Sequence, residues 1–165
     1  MSNSEPLLAE NCATCRGSKA VLSCGLCQNA LCKKCAEVLP RDYFSFLKNV
    51  PETLQHVAYC GSCFDAHVAS AKTQYEDLLK KAKTVTIFYR KERNVPVKRK
   101  SKVQLTVSDC ADRDEALLRL AFFSAQQSCN AVADVEVTPQ KIKINGYQTT
   151  LWHAKGFPGM VVEFQ

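Results

Sequence analysis

The sequence lacks the features that mark a membrane protein or a common class of enzyme. No uninterrupted apolar run approaches the ~18 residues needed to cross a bilayer, and the first ten residues show no basic start followed by an apolar core. There is no Gly-rich phosphate loop, no His-Glu-x-x-His pair and no recognisable catalytic triad. We therefore expect a soluble, cytoplasmic protein that is not an enzyme and has no catalytic residues.

Cysteine, by contrast, is abundant and regularly spaced. Eight of the ten cysteines form four Cys-x-x-Cys pairs: Cys12/Cys15, Cys24/Cys27, Cys32/Cys35 and Cys60/Cys63. Two residues between the thiols let both sulfurs converge on one ion, and two such pairs complete a four-sulfur shell at ~2.3 Å per bond. Soft thiolates favour zinc or an iron–sulfur cluster over calcium or magnesium. We predict two zinc ions, with cluster binding as the alternative.

The spacing leaves open which pairs share an ion. The second and third pairs are close enough to bind one zinc together, whereas an interleaved cross-brace joins the first pair to the third and the second to the fourth. Because no export signal is present, we expect thiolates on metal rather than disulfides. The first part of the chain holds few large aliphatic residues, so we expect metal binding, worth ~10–16 kcal/mol in small zinc domains, to stabilise it.

The cysteines and the change in periodicity along the chain predict an α+β fold in two parts. We expect a flexible segment over 1–9, a double zinc finger over 10–68, a connecting helix over 69–83 and a small α+β sandwich over 84–165. Apolar residues spaced by four and three from Phe64 to Ala82 predict one helix from Phe64 to near Lys83. We interpret this helix as a connector; a coiled-coil seam is the alternative.

The cysteine pattern, with the residues between the pairs, resembles FYVE-type zinc fingers over about residues 10 to 70. These are treble-clef modules with two cross-braced zincs, in which the second and third pairs are four residues apart and the last pair follows a short strand and opens a helix. The segments Cys24–Cys35 and Val57–Phe64 match both features. The resemblance implies one zinc on Cys12, Cys15, Cys32 and Cys35, and the other on Cys24, Cys27, Cys60 and Cys63.

The FYVE signature for phosphatidylinositol 3-phosphate is missing. Lipid-binding members carry a basic, His-containing motif before the second pair and a Trp and an Asp before the first pair. The corresponding segments here are Lys19–Ser23 and Leu7–Asn11, which supply one lysine. We therefore expect an adaptor whose finger docks a protein partner or, weakly, a membrane surface. The alternatives are a metal- or redox-handling protein, a phosphoinositide-binding FYVE protein and a RING-like ubiquitin-transfer protein.

The gap of twenty-four residues between the third and fourth pairs is long enough for an inserted helix, with Pro40 at its first position. Its apolar residues are expected to cover the zinc module as a supplementary core; an exposed docking patch is the alternative. They are Leu39, Tyr43, Phe44, Phe46, Leu47 and Val50. His56 and His67 flank the last pair, and we expect surface or packing roles for both.

In the second part, alternating residues predict strands over 84–89 and 102–107, which could form a hairpin around a basic loop. Asp112 and Glu115 form a capping-box-like start for a helix to about Ser128, with Asn130 as its C-terminal cap. Strands follow over 131–138, 141–144 and 147–154. The last two are joined by the hairpin turn Asn145-Gly146, and a short strand over 160–164 closes the sheet.

The segments Glu115–Ala121 and Cys129–Val135 resemble the YbjQ-like family of small domains described as heavy-metal-binding, in which a similar helix leads into an Asn-Ala-Val strand. Cys110, Cys129 and His153 are the soft ligands of this part of the chain. They could form a transient metal site, although a buried cysteine is usually a small apolar residue.

The densest basic run lies between the first two strands of the second part. Its members are Arg90, Lys91, Arg93, Lys98, Arg99, Lys100 and Lys102. Nucleic acid, an acidic lipid or an import receptor could bind it, but no aromatics are interleaved for base stacking, so we favour a solvated loop and expect no nucleic-acid partner. A homo-oligomer remains an open possibility.

Overall fold

The computed structural model describes residues 11–162, which form two compact units that divide between Tyr75 and Glu76. The first unit carries the eight paired cysteines, and the described part of the second contains one complete helix, the end of a helix that begins in the first unit, and a four-stranded sheet. The predicted α+β fold, a small zinc-finger-like region followed by an α+β domain, is confirmed. The predicted domain boundaries between residues 68 and 69 and between residues 83 and 84 stay predictions. The two units divide within the helix Ala69–Ala82, so this helix belongs in part to each of them.

The first unit is built on four two-residue strands and a helical segment. Strand β1 (Leu22–Ser23) pairs with β2 (Ala30–Leu31), and β3 (Glu37–Val38) pairs with β4 (Ala58–Tyr59), both antiparallel. Helix α1 (Gly61–His67) follows β4 directly, and α2 (Ala69–Ala82) follows α1. Each strand lies next to a cysteine pair: β1, β2 and β4 lead directly into one, and β3 begins two residues after Cys35.

The predicted inserted helix between the third and fourth pairs is wrong. Within this segment the structure has consecutive turns after Pro40 and one short 3-10 helix, Glu52–Leu54. The turns bring Phe44 into the interior, where its ring lies 5.1 Å from the ring of Tyr75. The Tyr75 hydroxyl also accepts a hydrogen bond from the Phe46 N–H. Packing on a residue distant in sequence therefore overrides local helix formation, and the buried Leu39 and Phe44 form the supplementary core.

The single helix predicted from Phe64 begins three residues earlier and is interrupted at Val68. It begins earlier because Cys60 is its N-cap, with the sulfur accepting a hydrogen bond from the Cys63 N–H. At Val68 the φ angle opens to −116°. The Val68 N–H still bonds to the Phe64 carbonyl and its own carbonyl accepts from Lys72, so hydrogen bonding continues across the break.

The sheet of the second unit has the order β5-β7-β8-β6. Its strands are β5 (Thr86–Tyr89), β6 (Leu105–Cys110), β7 (Ala131–Ile144) and β8 (Tyr147–Gly159). Strand β5 is parallel to β7, and the other neighbours are antiparallel. The predicted hairpin between the first two strands is wrong, because the longer β7 and β8 lie between them.

Strands β7 and β8 form a long hairpin whose turn is the predicted one. Asn145 and Gly146 have φ angles of 51° and 84°, the positive values that a two-residue type I′ turn requires. The strands predicted over 131–138 and 141–144 are a single strand, and β8 extends to Gly159. The pairing of β7 with β8 shifts register between Ala133 and Glu136, and β7 continues beyond this irregularity as one strand. Of the strand predicted over 160–164, Val161 makes one isolated bridge with Val97, and 163–164 lie outside the described residues.

Helix α3 (Arg113–Gln126) packs on one face of the sheet through buried residues that include Leu120 and Phe122. Its predicted start is correct: the Asp112 carboxylate accepts the Glu115 N–H at 2.7 Å. Its predicted end is wrong, because Gln127 is the C-cap and the side chain of Asn130 instead bonds to the backbone of Val161. Among residues 11–162 we find no helix with the length and apolar character needed to traverse a bilayer.

Candidate metal centre

The eight thiols of the Cys-x-x-Cys pairs gather into two groups of four. One group contains Cys12, Cys15, Cys32 and Cys35, and the other contains Cys24, Cys27, Cys60 and Cys63. Within each group all sulfurs lie within 4.8 Å of one another. The pairs are therefore interleaved, and the sequential arrangement that spacing left open does not occur.

The distances between sulfurs fit a tetrahedral ion. A tetrahedron with bonds of ~2.3 Å has edges of about 3.8 Å. The Sγ atoms of Cys15 and Cys32 are 3.8 Å apart, and those of Cys27 and Cys60 are 3.7 Å apart. These values are far above the ~2.05 Å of a disulfide bond, and all ten cysteines are free. The two groups fit two zinc ions, whose identity is inferred from the four-thiolate ligand set.

The first group joins the loop after Asn11 to the end of β2. The backbone of Cys12 closes this loop, with its N–H donating to Ser18 at 2.8 Å and its carbonyl accepting from Arg16 at 2.9 Å. The Ala13 N–H donates to the Ala30 carbonyl, which holds the loop against β2. Cys32 follows β2 directly, so these backbone bonds bring it to the first pair across seventeen residues of sequence.

The second group joins the turn between β1 and β2 to the start of α1. Cys24 closes the turn by accepting from the Gln28 N–H, where Gln28 adopts a left-handed φ of 65°. The Gly25 N–H donates to the Ala58 carbonyl of β4 at 2.9 Å. Because β4 leads directly into Cys60, this bond aligns the turn with the N-terminus of α1.

Gly25 permits a close approach that sequence reasoning did not find. A Cβ atom at this position would lie 2.2 Å from Cγ of His56 and 2.4 Å from its Cβ. The ring of His56 also packs against Tyr59, with ring centroids 6.1 Å apart. Neither His56 nor His67 belongs to a four-thiol group. No local signal pairs Gly25 with His56, since thirty residues separate them.

Backbone N–H groups lower the pKa of Cys12 and Cys15 in the first group and of Cys24 in the second. The N–H groups of Cys15 and Cys32 lower the pKa of Cys12 to about 6. Burial acts to raise the pKa of Cys24, but the N–H groups of Cys27 and Cys60 outweigh it and lower the value to about 6. Donors aimed at a sulfur stabilise the thiolate, which is the form that binds metal.

The last thiol of each group resists ionisation until a cation is present. Hydrogen bonding to Cys32 raises the pKa of Cys35 to about 12, and hydrogen bonding to Cys60 does the same for Cys63. Four thiolates so close together repel one another, and a divalent ion removes that repulsion. A shell of four thiolates leaves no open position for water or substrate, which is the arrangement typical of structural zinc sites.

Cys110, Cys129 and His153 do not come together, so the transient metal site suggested for them is wrong. Cys110 precedes α3 and Cys129 follows it, and a 14-residue helix spans about 21 Å. The two thiols donate to the carbonyls of Ser108 and Gln127, and burial raises the pKa of both. The His153 ring bonds to Gln140 at 2.7 Å. Within residues 11–162, the two four-cysteine groups are the only clusters able to hold a metal.

Two members of the basic run form ion pairs with the sheet. Arg90 bonds to Glu136, and Lys100 lies 2.6 Å from Asp134. Both acidic partners are on β7, so these two ion pairs attach the basic run to the sheet.

Comparison with protein-family models, with curated proteins and with solved structures finds no match to this chain. Its class therefore rests on fold and site: a zinc-finger-like module with two interleaved four-cysteine groups, followed by an α+β domain.

Proposed function

We propose that this chain is an intracellular adaptor, not an enzyme, and that its first unit is a FYVE-related treble-clef finger that docks a protein partner. The observation that carries the proposal is the interleaved grouping of the eight thiols. Every paired thiol is used in a closed shell, which builds a scaffold and leaves no reaction centre. The turn between β1 and β2, together with the capped start of α1, supports the treble-clef relationship.

The surface of the finger favours a protein over a phosphoinositide. The segment that would hold the basic lipid-binding motif contains Lys19 as its single cation, whereas a phosphate reader needs several positive charges or aligned N–H donors. Val21 and Val38 are 47% and 55% exposed. Exposed apolar side chains of this size suit the apolar core of a protein interface.

Native mass spectrometry with and without a chelator tests the metal claim, and we expect two zinc ions per chain that mild chelation does not remove. Liposome sedimentation tests the lipid claim, and we expect no preference for vesicles containing phosphatidylinositol 3-phosphate. Selective binding to those vesicles would replace the protein-docking assignment by the phosphoinositide alternative.

The docking claim is tested by quantitative proximity labelling in cells with the native chain and two variants. Val38→Asp replaces an exposed apolar side chain by a charged one, whereas Glu37→Gln alters the adjacent exposed residue and leaves Val38 in place. We expect Val38→Asp to retain two zinc ions and lose its enriched partner, and Glu37→Gln to keep both. Equal enrichment by the two variants would contradict docking at Val38.

Metal or redox handling is the second candidate, and the exposure of Cys15 and Cys27 is the observation that favours it. One exposed cysteine in each group offers a point of attack to a chelator or an oxidant. Thiol labelling of the folded protein separates the two candidates. A structural role predicts that the eight paired thiols stay protected for hours, whereas a handling role predicts labelling and zinc release within minutes.

A further inference from the structure

The hairpin of β7 and β8 extends beyond its neighbours as a two-stranded arm. The last pairing of β5 with β7 is at Tyr89–Val135, and the last pairing of β6 with β8 is at Cys110–Trp152. Within residues 11–162, β7 and β8 pair beyond these points only with each other, as far as Ile144 opposite Tyr147. We call residues 138–151 the arm. A ribbon of two strands is marginally stable alone in water, so an added strand would stabilise it.

The two faces of the arm differ in chemistry. The register places Ile144 opposite Tyr147 and Ile142 opposite Thr149, so these side chains share one face. That face carries three large apolar side chains and Thr149, and its tip is open to solvent, with Tyr147 80% exposed and Ile144 53% exposed. The alternate residues Lys141 and Lys143 lie on the opposite face and are exposed. Among the described residues neither lysine forms an ion pair.

Among the described residues, no strand pairs with the outer edge of β7 beyond Val135. A two-residue turn makes Ile144 and Tyr147 a hydrogen-bonded pair, so the alternate residues Lys143, Lys141 and Pro139 direct their backbone groups away from β8. The presence of Pro139 agrees with this assignment, because a proline within a sheet must face an edge. The N–H and C=O groups of Lys141 and Lys143 therefore face the edge that an incoming strand would join.

A cavity lies where this edge begins. It has a volume of about 360 Å³ and is lined by residues 135–138 of β7 together with Tyr89, Arg90 and Lys91 at the end of β5. Arg90 is paired with Glu136, whereas Lys91 is exposed. A strand added along β7 would lie in line with β5 and reach this cavity. Its terminal residue would then lie near the cations Arg90 and Lys91.

We propose that the free edge of β7, over residues 137–143, binds an extended segment of a partner protein by strand addition, and that acidic and apolar residues alternate in that segment. The acidic side chains lie beside Lys141 and Lys143, and the apolar side chains extend the face formed by Ile142 and Ile144. A second copy of this chain fits less well. Antiparallel pairing of two β7 edges places the lysines of both copies on one face, where like charges destabilise the pair.

The test uses zinc-loaded full-length protein and two fluorescent peptides of about nine residues, one alternating valine with glutamate and one alternating valine with lysine. Fluorescence anisotropy is measured at low and at high salt. We expect the glutamate peptide to bind and to weaken as salt rises, and the lysine peptide to bind at least tenfold more weakly. Equal affinity for the two peptides would overturn the proposal.

Variants with matched charge changes locate the binding surface. Lys141→Glu with Lys143→Glu should weaken the glutamate peptide at least tenfold and reverse the preference towards the lysine peptide. Lys98→Glu with Lys102→Glu makes the same change of net charge on exposed residues of the basic run, away from the arm, and should keep the preference. Equal loss in both double variants would show nonspecific attraction and overturn the site.

A backbone variant distinguishes strand addition from attraction between side chains. Lys141→Pro removes an outward N–H while leaving the bonds between β7 and β8 in place, and Lys141→Gln removes only the charge. We expect Lys141→Pro to bind the glutamate peptide more weakly than Lys141→Gln does, with an unchanged melting temperature of the second unit. If light scattering instead shows a native dimer that Lys141→Pro dissociates, the occupant is a second copy and the proposal fails.

Discussion

The approach of Gly25 to His56 provides the sharpest test of how the second zinc site is built. In Gly25→Ala the new Cβ would lie 2.2 Å from His56 Cγ and 2.4 Å from His56 Cβ. Ordinary contacts between carbon atoms are about 3.5–4.0 Å, so the turn or the His56 backbone must move by more than about 1 Å. Rotation of the ring does not remove the contact, since the His56 Cβ is attached directly to the backbone.

The magnitude follows from the cost of overpacking, which is typically ~1–3 kcal/mol. We expect the upper part of this range, about 3 kcal/mol, because two atoms clash and the same turn bonds to the Ala58 carbonyl. Movement of the turn shifts Cys24 and Cys27 relative to Cys60 and Cys63. A loss of 3 kcal/mol corresponds to roughly a hundredfold lower zinc affinity, read by competition with a chromogenic chelator.

Gly61→Ala is the matched control. Gly61 occupies the same position in the last Cys-x-x-Cys pair of the same site, but a Cβ there has no neighbour within 4 Å. Both glycines have ordinary φ angles, so the change in backbone freedom is similar in the two variants. We expect Gly61→Ala to bind zinc as the native chain does. Equal zinc affinity in the two variants would refute the steric account of Gly25.

Three further predictions concern each unit in turn. Stripping both zinc ions should unfold the first unit and leave the second folded, measured by hydrogen exchange resolved along the chain; protection retained around the cysteines would contradict a metal-dependent fold. Asp112→Ala should lower the free energy of unfolding of the second unit by about 1 kcal/mol, because the Glu115 N–H loses its capping acceptor. Chemical denaturation measures this loss, and the control is Asp114→Ala, which lies two residues further along the first turn and is not the cap. Bonding to Lys155 and Arg90 lowers the pKa of Glu136. Its contribution to stability is therefore present above the ordinary carboxyl value of about 4.3 and is lost as pH falls through the depressed value. The melting temperature of Glu136→Gln should depend less on pH below about 5 than that of the native chain, and parallel pH profiles would count against the pair.

The sequence was most informative where structure depends on neighbouring residues. Two residues between thiols bring the sulfurs of a pair together whatever the rest of the chain does, so the ligand sets and the number of ions followed from spacing and resemblance. The Asn145-Gly146 turn and the Asp112 cap were predictable for the same reason, since each depends on the conformation of only a few consecutive residues.

Tertiary structure decided the features that depend on contacts between distant residues. The segment after Pro40 is long enough for a helix, yet it forms turns in which Phe44 packs on Tyr75. Strands β5 and β6 each alternate as a hairpin would, but pairing with the longer β7 and β8 places them at opposite edges of the sheet. The need for glycine at position 25 arises from His56, thirty residues away. Local chemistry determines which residues can form a turn, cap a helix or bind metal. Which helices and strands pack against one another depends on contacts between residues that are distant in the sequence.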